Sequence, residues 1–193
     1  MSGFEPLFPF RESAFYYFCA MAKRHTAYLL LGGNIHPRKA YLKKAIELIS
    51  KEIGAVRKVS SVYESEPWGF EATVPFLNRV VVVETSFGPL ALLKKTQEIE
   101  RRSGRLEKSE NGKYASRTLD IDILFFDDEV LHLPELTLPH PRMAERRFVL
   151  VPLAEVAPEK NHPVLGKSCL QLLTACEDVG KVWKLKGKAF YAV

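Results

Sequence analysis

The segment 116–126, S-R-T-L-D-I-D-I-L-F-F, constrains the fold more than any other part of the chain. Residues i and i+2 of a β-strand point to the same face, so Asp120 and Asp122 lie side by side while the apolar set faces a core. Two adjacent carboxylates repel each other and are costly near a core unless a cation compensates them. Arg117 precedes the pair, and all-oxygen ligands favour Mg²⁺. The pattern predicts either a solvated edge strand or a site for Mg²⁺ and polyphosphate.

The elements before Asp127 predict a split β-α-β core. Apolar periodicity and turn residues give, in order, a strand at 26–31, a helix at 37–53, strands at 56–63 and 76–85, a helix at 89–104 and the acidic strand. This β-α-β-β-α-β order is the ferredoxin-like unit of the α+β class, an antiparallel sheet with helices packed on it. The second sheet face must be covered by loops and C-terminal additions, or left open for a ligand.

Shorter elements follow the acidic strand. Asp127 and Asp128 predict a hairpin turn into 130–133. An apolar run covers 149–156, and a helix is predicted at 168–175. We expect the lysine-rich end, from 181 onwards, to be poorly ordered.

Composition is that of a soluble globular protein, with 47% hydrophobic and 26% charged residues. The formal net charge of +5 suits an anionic small molecule at least as well as nucleic acid. Cys19, Cys169 and Cys176 form no C-x-x-C pair, which argues against a disulfide framework or zinc knuckle and favours a reducing cytoplasm. No apolar run of the sequence is long enough to span a membrane.

The common nucleotide-binding motifs, G-x-x-x-x-G-K-[ST] and G-x-G-x-x-G, do not occur in the sequence. Phosphate binding would therefore depend on side chains and Mg²⁺. The basic segment 101–117 is either a solvated loop, a weak nucleic-acid patch, or a lid that closes over phosphates. Asn78 lies inside a β-branched strand and needs partners if it is buried, and its amide suits the edge of a heterocycle.

Seven motifs occur in a fixed order between residues 31 and 148. They are L-G-G-N at 31–34, S-S-V-Y at 60–63, F-L-N at 76–78, Q-E-I-E through G-R at 97–105, R-T-L-D-I-D-I-L at 117–124, L-P-H at 138–140 and R-x-F at 146–148. This set resembles the 6-hydroxymethyl-7,8-dihydropterin pyrophosphokinase family of folate biosynthesis, over residues 26–158. The resemblance implies an enzyme that transfers diphosphate from ATP to the pterin hydroxymethyl group and releases AMP.

The resemblance also implies roles for individual residues. Asp120 and Asp122 would bind two Mg²⁺ ions, and Arg105 and Arg117 would join them in catalysis by engaging the phosphates. The implied pterin site consists of Ser65, Trp68, Phe76, Asn78 and Phe148. The implied ATP site consists of Gln97, Glu100, Arg105, Tyr114, Arg117, His140 and Arg146.

The chain departs from the family pattern at four of these motif positions or their neighbours. Gly33 stands where a serine is usual, and Pro141 stands where an aromatic residue often follows the histidine. Glu107 replaces a second arginine, and Tyr114 takes the place of a lid tryptophan.

Two other hypotheses remain open. One is a different Mg²⁺-dependent phosphoryl or nucleotidyl transferase, which would not need Asn78 or Phe148. The other is a non-enzymatic ferredoxin-like module for RNA or protein, which leaves the paired carboxylates unexplained. On the favoured hypothesis, 26–160 is the pyrophosphokinase domain, 161–193 is its C-terminal extension with a basic tail, and 1–25 is an N-terminal extension with the natural start at Met21. We expect a cytoplasmic monomer that binds ATP and 6-hydroxymethyl-7,8-dihydropterin, but no nucleic acid and no membrane.

Overall fold

The computed structural model describes residues 23–69, 73–104 and 117–185. Within these ranges the elements are β1 His25–Gly33, α1 Arg38–Glu52, β2 Gly54–Val59, β3 Tyr63–Ser65, β4 Phe76–Thr85, α2 Pro89–Arg102, β5 Asp120–Phe126, β6 Leu131–His132, β7 Thr137–Leu138, α3 Arg147–Val156, α4 Cys169–Thr174 and β8 Val182–Lys184. The predicted core order is present, with the predicted strand at 56–63 divided into β2 and β3.

The described strands β1 to β5 and β8 form one antiparallel sheet. Its order is β5-β1-β4-β3-β8, and β2 pairs with the same edge of β4 as β3. β4 is therefore central, as its continuous β-branched sequence predicts. The ferredoxin-like fold class is confirmed.

The helices α1 and α2 cover one face of this sheet. Alternate residues of β1 and β4 point to these helices, because side chains alternate between the two faces of a strand. The buried core on this side includes Leu29, Leu31, Val81, Val83, Leu42, Ile46, Ile49, Leu92 and Ile99. Burial of each large aliphatic side chain stabilises the fold by about 1.5–3 kcal/mol.

The second face has a covered part and an open part. Leu30, Val80 and Leu124 pack with Val149 and Leu153 of α3 in a second core. Further along the same face, at Gly32 and Asn78, the sheet faces a pocket instead of a helix. The sequence predicts that this face is either covered by C-terminal elements or open for a ligand. Both occur, at different places on the face.

The predicted hairpin after β5 is wrong. The chain does turn at Asp127, which has a φ of 47°, but β6 pairs with β7 and not with β5. The outer edge of β5 is occupied differently, since the backbone N–H of His140 donates to the carbonyl oxygen of Leu124 at 3.0 Å. The chain therefore leaves the sheet after the turn.

The C-terminal part is better ordered than its lysine content suggests. The predicted helix at 168–175 is confirmed as α4, which begins with a capping box between Ser168 and Gln171. The expectation of a poorly ordered end is wrong for β8, because Tyr63, Glu64 and Ser65 of β3 pair with it. Residues 186–193 lie outside the described residues.

Several other expectations fall partly outside the described ranges. The N-terminal extension and Met21 lie outside them, as does Cys19. Cys169 and Cys176 are free thiols, the first of them buried. In the described part of the chain, no helix has the length and apolar character needed to cross a membrane.

Candidate active site

A pocket of about 540 Å³, open to solvent, lies over the uncovered part of the second sheet face. The described residues that line it are Leu30, Gly32, Ser65, Glu66, Trp68, Phe76, Asn78, Arg117, Asp120, Asp122, Arg146 and Phe148. Nine of these twelve are site residues predicted from the sequence. The pocket therefore brings together side chains from β1, β3, β4, β5, α3 and the connecting segments.

The floor of the pocket is set by strand register. Gly32 of β1 pairs with Asp120 of β5 on one side and with Asn78 of β4 on the other. Directly paired residues on neighbouring strands point to the same face. Asp122 pairs with Leu30 one step further along that face. The carboxylates and the amide therefore form two ends of one floor.

Two glycines leave this part of the floor without side chains. A Cβ atom on Gly32 would lie 3.3 Å from Oδ1 of Asn78, which is a tight contact. A Cβ atom on Gly33 would lie 2.4 Å from the carbonyl oxygen of Thr118, which backbone atoms do not permit. The departure from serine at Gly33 therefore matches a close approach between the end of β1 and the segment before β5.

The acidic end of the pocket carries both charges of an ion pair. Arg117 Nη1 contacts Oδ2 of Asp120, and both side chains are largely buried. Asp122 is half-buried and lines the same pocket. Two carboxylates at a solvent-open pocket fit a hard cation, because Mg²⁺ commonly binds one or two carboxylates and completes its shell with water and substrate phosphates.

The opposite end of the pocket combines an amide with aromatic rings. Asn78 is 2% exposed, and its Nδ2 donates to Oγ of Ser65 at 2.8 Å. Phe76 and Phe148 line the same pocket as this amide. This end offers a fixed hydrogen-bonding group beside apolar rings, which suits a flat heterocycle.

Arg146 lies close to two of the aromatic rings. Its guanidinium carbon is 4.6 Å from the centroid of the Trp68 ring and 5.8 Å from that of Phe148. Arg146 is buried, so these cation–π contacts are worth more than they would be in water. Arg142 adds a longer contact with Trp68, at 5.9 Å.

Two predicted ATP-site residues hold β5 from outside the pocket. Glu100 of α2 is buried, and its Oε1 accepts a hydrogen bond from the N–H of Ile121 at 2.8 Å, between the two aspartates. His140 contacts β5 through Leu124. Gln97 is half-buried on α2, and its carbonyl oxygen accepts from Nε of Arg101 at 3.3 Å.

Burial, together with the Arg146 and Arg142 guanidinium groups, lowers the pKa of His140 to about 4, while Asp120 opposes this shift. The imidazole is therefore neutral near pH 7. Its Nδ1 accepts from the backbone N–H of Arg142 at 3.3 Å, which assigns the proton to Nε2. His140 therefore carries a hydrogen-bond donor at Nε2 and is not a cation.

Comparison with known families matches residues 28–158 to 7,8-dihydro-6-hydroxymethylpterin-pyrophosphokinase, HPPK. The chain belongs to this family. It is a pyrophosphokinase, a transferase that moves diphosphate to a pterin in folate biosynthesis. The non-enzymatic binding module is therefore set aside.

Curated relatives from this family match the chain along most of their own length. The 2-amino-4-hydroxy-6-hydroxymethyldihydropteridine pyrophosphokinase of Porphyromonas gingivalis is 46% identical over 132 residues, which cover 68% of this chain and 90% of the relative. The enzyme of the same name from Bacillus subtilis is 42% identical over 161 residues, which cover 83% of this chain and 91% of the relative.

Solved structures agree on the fold. A crystal structure of Plasmodium falciparum HPPK-DHPS with pteroate matches with a TM-score of 0.66 and 20% sequence identity. The match covers 79% of this chain and 44% of that longer chain. At this identity the likeness supports the ferredoxin-like architecture alone.

Some site residues predicted from the sequence lie outside the pocket lining or outside the described ranges. Gln97, Glu100 and His140 are described but do not line the pocket, and Arg105 and Tyr114 lie outside the described residues. The lining also includes Glu66, which the sequence reasoning missed. An exposed glutamate in a loop gives no periodic signal, and only its place next to Ser65 could have suggested it.

Proposed function

We propose that this pyrophosphokinase uses ATP as diphosphate donor and 6-hydroxymethyl-7,8-dihydropterin as acceptor, and that both bind in the pocket described above. The observation that supports this most is the register of Asp120 and Asn78 on the two sides of Gly32. It puts two carboxylates and an amide on one continuous floor, which supports binding of phosphates at one end and of a heterocycle at the other.

The pterin ring binds at the amide end. The bond from Asn78 Nδ2 to Ser65 fixes the plane of the amide and directs Oδ1 toward Gly32. Phe76 and Phe148 stack on the two faces of the ring, and Trp68 closes the pocket beside them. The hydroxymethyl group then points along the floor toward the carboxylates.

The phosphates bind at the acidic end. Two Mg²⁺ ions held by Asp120 and Asp122 would supply charge neutralisation of the phosphates and acidification of the pterin hydroxyl. Arg117, oriented by its ion pair with Asp120, takes up charge that develops on the transferred group. We assign Arg105 the same task.

The transfer joins the pterin hydroxyl oxygen to the β-phosphorus of ATP. The bond from that phosphorus to the oxygen shared with the α-phosphorus breaks, and AMP leaves with its electron pair. The hydroxyl proton passes to solvent. Positioning and charge stabilisation supply most of the catalysis in reactions of this class, so no side-chain base is required.

The remaining assigned residues are proposed to bind ATP. Arg146 reaches the pocket directly, whereas Glu100 and His140 hold the backbone of β5 and Gln97 lies beside them on α2. Tyr114 completes the proposed ATP site. Neutral His140 donates through Nε2 to the nucleotide.

An assay for released nucleotide tests the proposal. The chain is incubated with ATP, Mg²⁺ and 6-hydroxymethyl-7,8-dihydropterin, and AMP and ADP are separated by chromatography. We expect AMP and the pterin diphosphate in equal amounts, no AMP without the pterin, and no turnover in excess EDTA. Release of ADP, or AMP formation that ignores the pterin, contradicts the proposal.

A further inference from the structure

We propose that Asn34 is a positioning residue that couples the phosphate end of the pocket to its pterin end, an inference that rests on the proposed function. Asn34 directly follows β1 and does not line the pocket. It is 3% exposed, so its amide must be satisfied inside the protein. Its partners belong to two different segments that enter the pocket.

The first segment is the one that carries Arg117. The backbone N–H of Arg117 donates to Oδ1 of Asn34 at 2.9 Å, and the backbone N–H of Asn34 donates to the carbonyl oxygen of Arg117 at 3.0 Å. Ile35 adds a third bond to the same carbonyl, at 3.3 Å. These bonds fix the backbone from which the Arg117 side chain reaches Asp120.

The second segment leads into β4. Nδ2 of Asn34 donates to the carbonyl oxygen of Val74 at 3.4 Å, two residues before Phe76. Arg38 supports the same segment, because its Nη1 donates to the carbonyl oxygen of Pro75 at 2.7 Å and to Glu64 at 2.6 Å. The segment that leads to Phe76 and Asn78 is therefore hydrogen-bonded to the residue after β1.

One planar amide makes both connections. Its oxygen accepts from the Arg117 side and its nitrogen donates to the Val74 side, because an amide carries an acceptor and a donor on separate atoms of one plane. Gly33 allows the close approach, since the backbone of Thr118 leaves no room for a side chain there. A shift of either segment is therefore transmitted to the other through Asn34.

Two substitutions separate the two connections. Asn34→Asp keeps the acceptor for Arg117 and removes the donor to Val74, whose carbonyl oxygen then faces a carboxylate. We expect the KM for the pterin to rise about tenfold, with kcat and the KM for ATP within about twofold of the wild type. Asn34→Ala removes both connections, and we expect kcat to fall about tenfold as well.

Thr85→Val is the matched control. Thr85 is also buried, and its Oγ1 donates to the carbonyl oxygen of Ile53 at 2.7 Å and accepts from the N–H of Phe87 at 3.1 Å, at the far end of β4. We expect this variant to lose thermal stability comparably to Asn34→Ala while its kinetic constants stay unchanged. Melting temperatures are measured alongside the kinetics of all variants.

Two outcomes overturn the proposal. If Asn34→Asp and Asn34→Ala only lower the melting temperature, as Thr85→Val does, Asn34 is a structural residue. If the two variants change the same constants equally, Asn34 does not connect two separable halves. Failure of the proposed function differs from both, because it removes pterin-dependent AMP release from the wild type itself.

Discussion

Asp120 and Asn78 lie on the same sheet face, two strands apart, and both pair with Gly32 of the strand between them. Neighbouring strands are 4.7–4.9 Å apart, so this register separates the two backbones by about 10 Å. The floor between them carries no side chain that would divide the pocket. A substrate anchored at Asn78 can therefore extend a short substituent to the carboxylates.

Replacement of Gly32 by Ala tests this floor. The added Cβ would lie 3.3 Å from Oδ1 of Asn78, so the amide must shift by a few tenths of an ångström. We expect the KM for the pterin to rise about tenfold, which corresponds to about 1.4 kcal/mol. Gly88→Ala is the matched control, since a Cβ there meets nothing within 4 Å. An equal change in both variants would contradict the prediction.

Asp122→Asn should separate activity from stability. The substitution keeps the shape of the side chain and removes one of two neighbouring negative charges, so we expect the melting temperature to be unchanged or higher. Loss of a cation ligand should lower kcat by roughly 10²–10³-fold. The exposed Asp128 provides the control, and Asp128→Asn should keep full turnover. Steady-state kinetics of both variants measures kcat, and thermal unfolding measures their melting temperatures.

The neutral histidines predict how stability depends on pH. Burial lowers the pKa of His140 to about 4 from 6.5, and burial also lowers the pKa of His162. The unfolded chain therefore binds protons in this window that the folded chain does not, and stability is complete above about pH 6.5 and falls toward pH 4. The pKa values of acidic groups such as Asp127 and Glu155 are lowered from 3.8 and 4.5, so their contribution is lost at lower pH.

We expect His140→Gln to flatten the stability curve between pH 4.5 and 6.5 relative to the wild type. Urea unfolding in metal-free buffer at several pH values measures this. His162→Gln should flatten it too, since both groups have the same sign of shift. A His140→Gln curve parallel to that of the wild type would show that folding does not lower the pKa of His140.

Trp68 should report pterin binding by fluorescence. The chain contains two tryptophans, and Trp68 lines the pocket while Trp183 lies on β8. In Trp183→Phe, titration with the pterin should change the emission of Trp68, because a ligand in the pocket alters its contact with Arg146. Trp68→Phe is the reciprocal control and should respond weakly. Equal responses would argue against pterin binding beside Trp68.

Strand periodicity accounts for the parts of the site that lie on the sheet. The alternation around Asp120 and Asp122 predicts their shared face, and the β-branched run around Asn78 predicts a central strand. Asp120 and Asn78 both pair with Gly32. This pairing depends on the antiparallel register of three strands, which the sequence of a single segment does not encode. The motif resemblance supplied what local pattern could not, since Phe148 reaches the pocket from a helix distant in sequence.

The parts that sequence did not predict depend on contacts between distant segments. Lysines at 181 and 184 suggested a solvated tail, but long side chains can keep their charges in water while the backbone pairs with β3. At the outer edge of β5, bonds to Glu100 and His140 take the place of a paired hairpin strand. A surface glutamate such as Glu66 can be identified as a pocket residue only once the fold is known.

The pairing of β8 with β3 has a consequence for how the protein is made. Residues 182–184 are the last of the sheet to leave the ribosome, so β3 keeps an unpaired edge until then. The backbone of Lys181 also bonds to Glu66 at the rim of the pocket. A nascent chain stopped before β8 would already carry both aspartates and Asn78, yet it would expose a strand edge able to pair with another polypeptide. Synthesis of residues 182–184 thus both completes the sheet beside the pocket and closes a route to aggregation.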